Sequence, residues 1–281
     1  MGKMIIKIIL LTIFIIVVGF FVSVPIFTNS ETREKIKQLG VEQDTDNAII
    51  DFTRSEFLSL PSIVQKYLKT SLNARSSSYQ LTQLTLSGGT RTDPVSEWKT
   101  TEVDFYYSLS SPAFIWVATS EQFLYLWNKT INTYLNEVAR SESKFLSSIT
   151  TDEIAGVKLD QSYFHFYLLN SVFSPVALLP SQNIQWKKLG KLKAEVVIWN
   201  KSARGKAIFY FNKLGAVEKV VVEDMFIPNQ INNKRGKFTL HLANYKEIDG
   251  NKIPTYLEYQ WNLPGGDFTS SRFNITDIVY N

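Results

Sequence analysis

The chain has 281 residues, 44% of them hydrophobic and 20% charged, which gives apolar material for a large core and too few charges for a disordered chain. It has no Cys, so disulfides, thiolate zinc sites, iron–sulfur clusters and a cysteine nucleophile are excluded, and two His leave no local histidine-rich metal motif. The net charge is +4, of which Lys3 and Lys7 supply two, and the remainder is too balanced for a nucleic-acid-binding surface of any size.

The first element in the chain is apolar. From Ile8 to Ser30 no residue is charged, and Ile8 to Phe27 is almost wholly aliphatic or aromatic. About twenty helical residues span about 30 Å, the thickness of a bilayer core. Lys3 and Lys7 precede this run, whereas Glu31, Arg33, Glu34 and Lys35 alternate in sign behind it. Positive charge ahead of the span reads as a cytoplasmic N-terminus over 1–7, a transmembrane anchor over 8–28, and a chain that otherwise lies outside the membrane as a periplasmic or cell-surface domain. The competing reading is a cleaved signal peptide. Against it stand the length of the apolar run and the poor cleavage site offered by Phe21-Val-Ser-Val-Pro25.

Residues 29–56 are polar with acid and base interspersed, and they read as a stalk with some helix. A helix is expected over Leu60–Leu72, with Pro61 suited to its first turn and Ile63, Val64, Tyr67, Leu68 and Leu72 on one apolar stripe. From Tyr79 the pattern changes to period two. Val103, Phe105 and Tyr107 share a face, and Ala113–Thr119 and Phe123–Trp127 are further aromatic and β-branched runs. In Lys193–Trp199, Ala194, Val196 and Ile198 oppose Glu195, Val197 and Trp199. Hairpin signals follow at Asn212-Lys-Leu-Gly215, at Asp249-Gly250, the strongest in the chain, and at Gly265-Gly266. About ten to twelve strands joined by short hairpins require a mostly antiparallel sheet.

Residues 160–173 break the period and read as a helix closed by Pro175. They divide the strands into a group near 79–150 and another near 184–280. The halves form either one curved sheet with the helix in its concavity or two sheets face to face. With no linker composition between them, residues 57–281 are expected to be one extracytoplasmic domain: mainly β, a large curved antiparallel sheet with one or two packed helices, preceded by the transmembrane helix.

No motif carries chemistry. Gly88-Gly89 lacks a phosphate-loop context and reads as a turn. Asp152-Glu153 and Glu223-Asp224 read as solvated turn and strand-end carboxylates. No GxSxG elbow exists, so a hydrolase would have to recruit His165 or His241 with a distant carboxylate. His165 lies among Tyr163, Phe164, Phe166 and Tyr167, as a packed histidine would, and His241 reads as facing solvent from a strand. The sequons at Asn128, Asn200 and Asn274 read as chance. No catalytic residue, metal site or cofactor is expected. The unusual feature is aromatic content: six Trp, thirteen Tyr and nineteen Phe, 14% of the chain.

Several spaced residues resemble a bacterial membrane-anchored family of unknown function. They are Leu60-Pro61, Leu86-Ser-Gly-Gly with Trp98, Pro112-Ala-Phe-Ile-Trp116, Ser174-Pro-Val-Ala-Leu-Leu179 with Trp186, Phe211-Asn-Lys-Leu-Gly215, and Gly250-Asn-Lys-Ile-Pro254 with Trp261. The resemblance covers about 57–281 and supplies no catalytic residue. Its pattern has an Arg and a Glu on the helix ahead of Pro175, near where Phe166 and Asn170 stand here, which weakens an enzyme reading. More distantly, the strand pairs look like those of lipoprotein-carrier periplasmic sheets, whose curved face holds acyl chains; that is analogy of fold.

These readings lead to a domain that binds an apolar or amphipathic ligand, such as a lipid or lipoprotein acyl chain, in the seam between the 160–173 helix and the sheet. Trp116, Tyr163, Phe166, Tyr167, Phe173 and Trp261 are the expected lining. The alternatives are an envelope hydrolase built on His165 or His241 and a structural module that docks an envelope protein through an edge strand.

Overall fold

The structure is a computed structural model of the chain, and it describes residues 32–39, 50–73, 79–123, 126–226 and 235–281, with isolated helical positions between 5 and 12. The expected anchor over 8–28 lies almost entirely outside the described residues. Among those described, no helix is long and apolar enough to cross a membrane.

Helices α1 (Ser55–Leu58) and α2 (Ser62–Ser71) lie directly ahead of the first strand. Pro61 stands one position ahead of α2, as its N-cap, and Ile63, Val64, Tyr67 and Leu68 bury the expected stripe. The first group of strands is β1 (Leu81–Thr90), β2 (Lys99–Ser108), β3 (Phe114–Phe123), β4 (Leu126–Leu135), β5 (Val138–Phe145) and β6 (Ile149–Ala155). Helix α3 (Val157–Asn170) and two 3-10 turns, Ser171–Phe173 and Pro175–Leu178, lead to the second group. That group is β7 (Ile184–Gly190), β8 (Lys193–Asn200), β9 (Ala203–Phe211), β10 (Val217–Phe226), β11 (Arg235–Ile248), β12 (Asn251–Leu263) and β13 (Gly266–Tyr280).

All thirteen strands join in one antiparallel sheet of order β6-β5-β4-β3-β2-β1-β13-β12-β11-β10-β9-β8-β7. Two meanders are spliced where β1 pairs with β13, Leu84 opposite Ile278 and Gly88 opposite Phe273. This settles the choice between one sheet and two in favour of one. The strand number exceeds the ten to twelve expected, and the Phe123–Trp127 run straddles the end of β3 and the start of β4.

Strands β6 and β7 are the two edges, and α3 makes the connection between them. It packs against β5, second from one edge, and β9, third from the other. A flat sheet cannot touch one helix with strands so far apart, so the sheet curls around α3; accumulated right-handed twist supplies that curl. The enclosed core draws alternate residues from the strands, among them Leu84, Leu86, Val103, Phe105, Phe114, Val196, Phe209, Leu240, Leu257 and Phe273. Ala194, Val196 and Ile198 take the expected inner face of β8.

A smaller cluster lies on the outer face, where Leu39 packs with Ala113, Ile115, Val117 and Ile131, and Ile36 packs against it. Residues 32–37 are helical there, and Lys35 Nζ stands 3.8 Å from Glu142. Farther along the segment expected as a stalk, Ile50 and Phe52 pack against the main core.

Candidate functional site

The seam under α3 is an aromatic lattice. Trp116, 8% exposed, stands edge-on to Phe166 at 5.7 Å, to Tyr259 at 5.9 Å and to Phe273 at 5.9 Å. Phe166 stacks on Tyr259 at 5.6 Å and tilts on Phe114 at 5.3 Å. Tyr163 reaches the lattice through Phe114 at 5.4 Å, and Trp261 through Phe238 at 4.5 Å, which in turn stacks on Tyr259. The lattice therefore gathers Trp116, Tyr163, Phe166 and Trp261. Tyr167 joins them through Tyr107 and Phe105, whose ring stands 5.2 Å from Trp116, and Phe173 is buried beside them in the same core. Tyr167 stacks flat on Tyr107 at 4.4 Å and donates to the Ser108 carbonyl, while the Phe173 carbonyl accepts from Tyr280. The rings of Trp116, Tyr163, Phe166, Tyr167 and Trp261 each meet another ring, the packing of a filled interior. Tyr163, Phe166 and Trp261 keep partial exposure.

An open cleft of about 800 Å³ lies elsewhere, between residues 50–60 and the 179–186 segment that enters edge strand β7. Phe57, Leu60, Leu179, Ile184 and Trp186 form its apolar side, and Asp51, Arg54 and Glu56 supply charge. The segments are held from behind. Trp186 Nε1 donates to the Leu178 carbonyl at 3.1 Å and its ring meets Phe209 edge-on, while Phe57 packs edge-on against Phe52. Hydrogen bonds from the Thr53 side chain and backbone hold the Asp51 carboxyl below its ordinary range. Glu56 is lowered by its own backbone N–H, then by Ser55 and Arg54. Both carboxylates thus stay ionised beside Arg54.

None of the six residues expected from the sequence lines this cleft. Its elements were visible there only as pieces of the family resemblance, Leu60-Pro61 and Ser174–Leu179 with Trp186. Their meeting depends on a contact across more than a hundred residues that no local pattern encodes.

Neither histidine is hydrogen-bonded to a carboxylate among the described residues. The ring of His241 meets the Gln260 side chain. His165 is buried with Nδ1 lacking a hydrogen-bond partner, and burial lowers its pKa to about 4. The nearby Asp224 is engaged by Arg235 at 2.6 Å. Among the described residues no group of three His, Asp or Glu stands ready for a metal ion.

Fold and site define a mainly β protein whose single thirteen-stranded antiparallel sheet wraps a crossing helix and leaves an amphipathic cleft beside one edge. The sequence of residues 51–273 matches a family of unknown function, DUF6544, and the chain belongs to that family. No curated protein matches it. Among solved structures, a LolA superfamily protein from Nitrosomonas europaea is similar over 78% of this chain and 92% of its own, at 12% identity and a TM-score of 0.45. A DUF1329 family protein from Desulfovibrio piger covers the same shares at 9% identity and 0.43. A β-barrel-like DUF1849 protein from Brucella abortus covers 72% and 98% at 9% identity and 0.28.

Proposed function

We propose that this chain is a membrane-anchored extracytoplasmic binding domain for an amphipathic ligand, such as a lipid or a lipoprotein acyl chain. Residues 8–28 are its anchor, residues 1–7 lie in the cytoplasm, and the ligand sits in the cleft between 50–60 and 179–186. The observation that carries this reading is the cleft itself: about 800 Å³, with Phe57, Leu60, Leu179, Ile184 and Trp186 on one side and ionised Asp51, Arg54 and Glu56 on the rim. Its volume is that of small-molecule sites, and an apolar wall beside a few fixed charges suits a chain with a polar head. Neither histidine is hydrogen-bonded to a carboxylate among the described residues, so the hydrolase alternative has less support than binding does.

Photolabelling tests this. Membranes carrying the full chain are exposed to a diazirine-bearing palmitate, and the labelled peptides are mapped. Label on 50–60 and 179–186, weakened severalfold by Trp186→Ala, is the expected result. Label on 160–173 that Phe166→Asp abolishes would move the ligand to the aromatic seam. No label anywhere in the domain would remove lipid binding and leave the module that docks an envelope protein ahead.

A further inference from the structure

A second hollow, of about 420 Å³, lies against the central strands of the sheet, away from the cleft described above. It is lined by Gly88 and Gly89 of β1, Trp98 to Thr100 at the start of β2, Tyr256 of β12, and Arg272 to Asn274 of β13. Its polar side belongs to the outer face. Leu86, Leu257 and Phe273 point into the core, so alternation turns Gly89, Tyr256, Arg272 and Asn274 the other way. The lining holds two cations, Arg272 and Lys99, and no carboxylate.

Two guanidinium groups lie over the Trp98 indole, Arg272 at 4.3 Å and Arg91 at 4.6 Å from the ring centroid. They are held differently. Arg91 is tied down, with Nε donating to the Thr269 carbonyl at 2.9 Å and Nη1 to the Pro94 carbonyl at 3.1 Å. Arg272 makes no hydrogen bond or ion pair among the described residues, and its residue is exposed. Its cross-strand neighbour Glu258 accepts instead from the Tyr256 hydroxyl. Gly89 completes the seat. A Cβ there would approach Trp98 Cε3 to 3.2 Å, so the missing side chain lets the indole lie close to β1. The arrangement presents one guanidinium, held against the Trp98 ring and unspent on any carboxylate, to a hollow that also offers the Thr100 hydroxyl and the Asn274 amide. A planar fork of N–H donors matches an oxyanion in bidentate fashion.

We propose that this hollow binds a phosphate ester, with Arg272 holding two of its oxygens and Trp98 fixing the guanidinium plane. The same phosphate chemistry comes either on a soluble molecule or on a lipid headgroup, and the two are separable. The full chain in dodecyl maltoside is titrated calorimetrically with inorganic phosphate, glycerol 3-phosphate and dihexanoyl phosphatidylglycerol, with dihexanoylglycerol as the phosphate-free control. Saturable binding of one or more phosphate ligands is expected, with affinity reduced about tenfold in Arg272→Gln and less in Arg272→Lys. Thermal melting checks that both variants are folded. Binding of glycerol 3-phosphate assigns a soluble ester, and binding of the short-chain lipid alone assigns a headgroup. Should Arg272→Gln not fold, Asn274→Ala together with loss of affinity in added salt takes its place. No binding at millimolar ligand, or equal binding by wild type, Arg272→Gln and Asn274→Ala, would overturn the proposal.

Discussion

The hydroxyl of Tyr259, in β12, donates a 2.5 Å hydrogen bond to the side-chain carbonyl of Asn170, the last residue of α3. Both residues are buried, and the Asn170 amide nitrogen is spent on the Phe166 carbonyl at 2.8 Å. The bond therefore pins the end of the crossing helix to the middle of the sheet while Tyr259 also supports Phe166, Trp116 and Phe238 by ring contacts. Tyr259→Phe keeps those contacts and strands the Asn170 oxygen, so it should cost about 1–3 kcal/mol in urea unfolding. Adding Asn170→Leu should cost less than the two single changes together, because no stranded polar group remains. Additive losses would mean the bond is absent.

A turn supplies the second expectation. Asp249 and Gly250 have φ of 49° and 74°, both left-handed, as a two-residue hairpin between β11 and β12 requires. A Cβ on Gly250 would also lie 2.6 Å from Asn73 Nδ2, which donates to the Asp249 carbonyl. Gly250→Val should lower stability by about 1–2 kcal/mol for the backbone conformation alone, with the Asn73 contact adding to it. A thermal midpoint equal to wild type would contradict this turn.

Hairpins of this kind were readable in the sequence because Gly marks them, and so was α3, because aromatics at 163, 164, 166 and 167 break the period of two. Two further hairpins were not readable. The turns at Asn136-Glu137 and Leu146-Ser147 use left-handed backbone without any glycine, φ 51° and 66° in one and 50° and 61° in the other, so nothing flagged the boundaries of β5. The splice of β1 to β13 was equally hidden, since it joins residues nearly two hundred positions apart and adds no local pattern. The six residues expected to line the ligand site stand away from the open cleft. Trp116 and Phe166 do touch, yet the open cleft forms from Phe57, Leu60 and Trp186, whose apolar character looks like ordinary core until the chain brings them together.

His165 gives the domain an acid sensitivity whose sign is fixed by burial. Desolvation lowers its pKa to about 4, with Arg235 and Lys206 pushing the same way and Asp224 opposing. In the unfolded chain the ring titrates near its ordinary value of about 6.5, so between the two values the unfolded state binds more protons. Stability should therefore be full above pH 6.5 and fall as the pH drops towards 4, by about 3 kcal/mol from this residue. His165→Leu should flatten that part of the profile. Urea unfolding at several pH values across this window compares the two proteins. Parallel curves would show that His165 is protonated as readily in the folded state as in the unfolded one.

The joint between the two meanders rests on Gly88. It pairs with Phe273 across β1 and β13, and a Cβ added there would overlap the Arg272 carbonyl oxygen and stand 2.8 Å from Phe273 Cα. Those atoms are backbone, so relief requires moving a central strand. At Gly89, by contrast, the nearest atom to an added Cβ belongs to the Trp98 side chain at 3.2 Å, which can yield by a few tenths of an ångström. Gly88→Ala should cost about 3 kcal/mol, the upper range for overpacking, and Gly89→Ala clearly less. Hydrogen exchange read strand by strand should show protection lost first in β1 and β13 of Gly88→Ala, because the substitution pries apart the ladder that makes one sheet from two groups of strands. If Gly88→Ala melts with the wild type and keeps protection in both strands, they do not approach as closely as described.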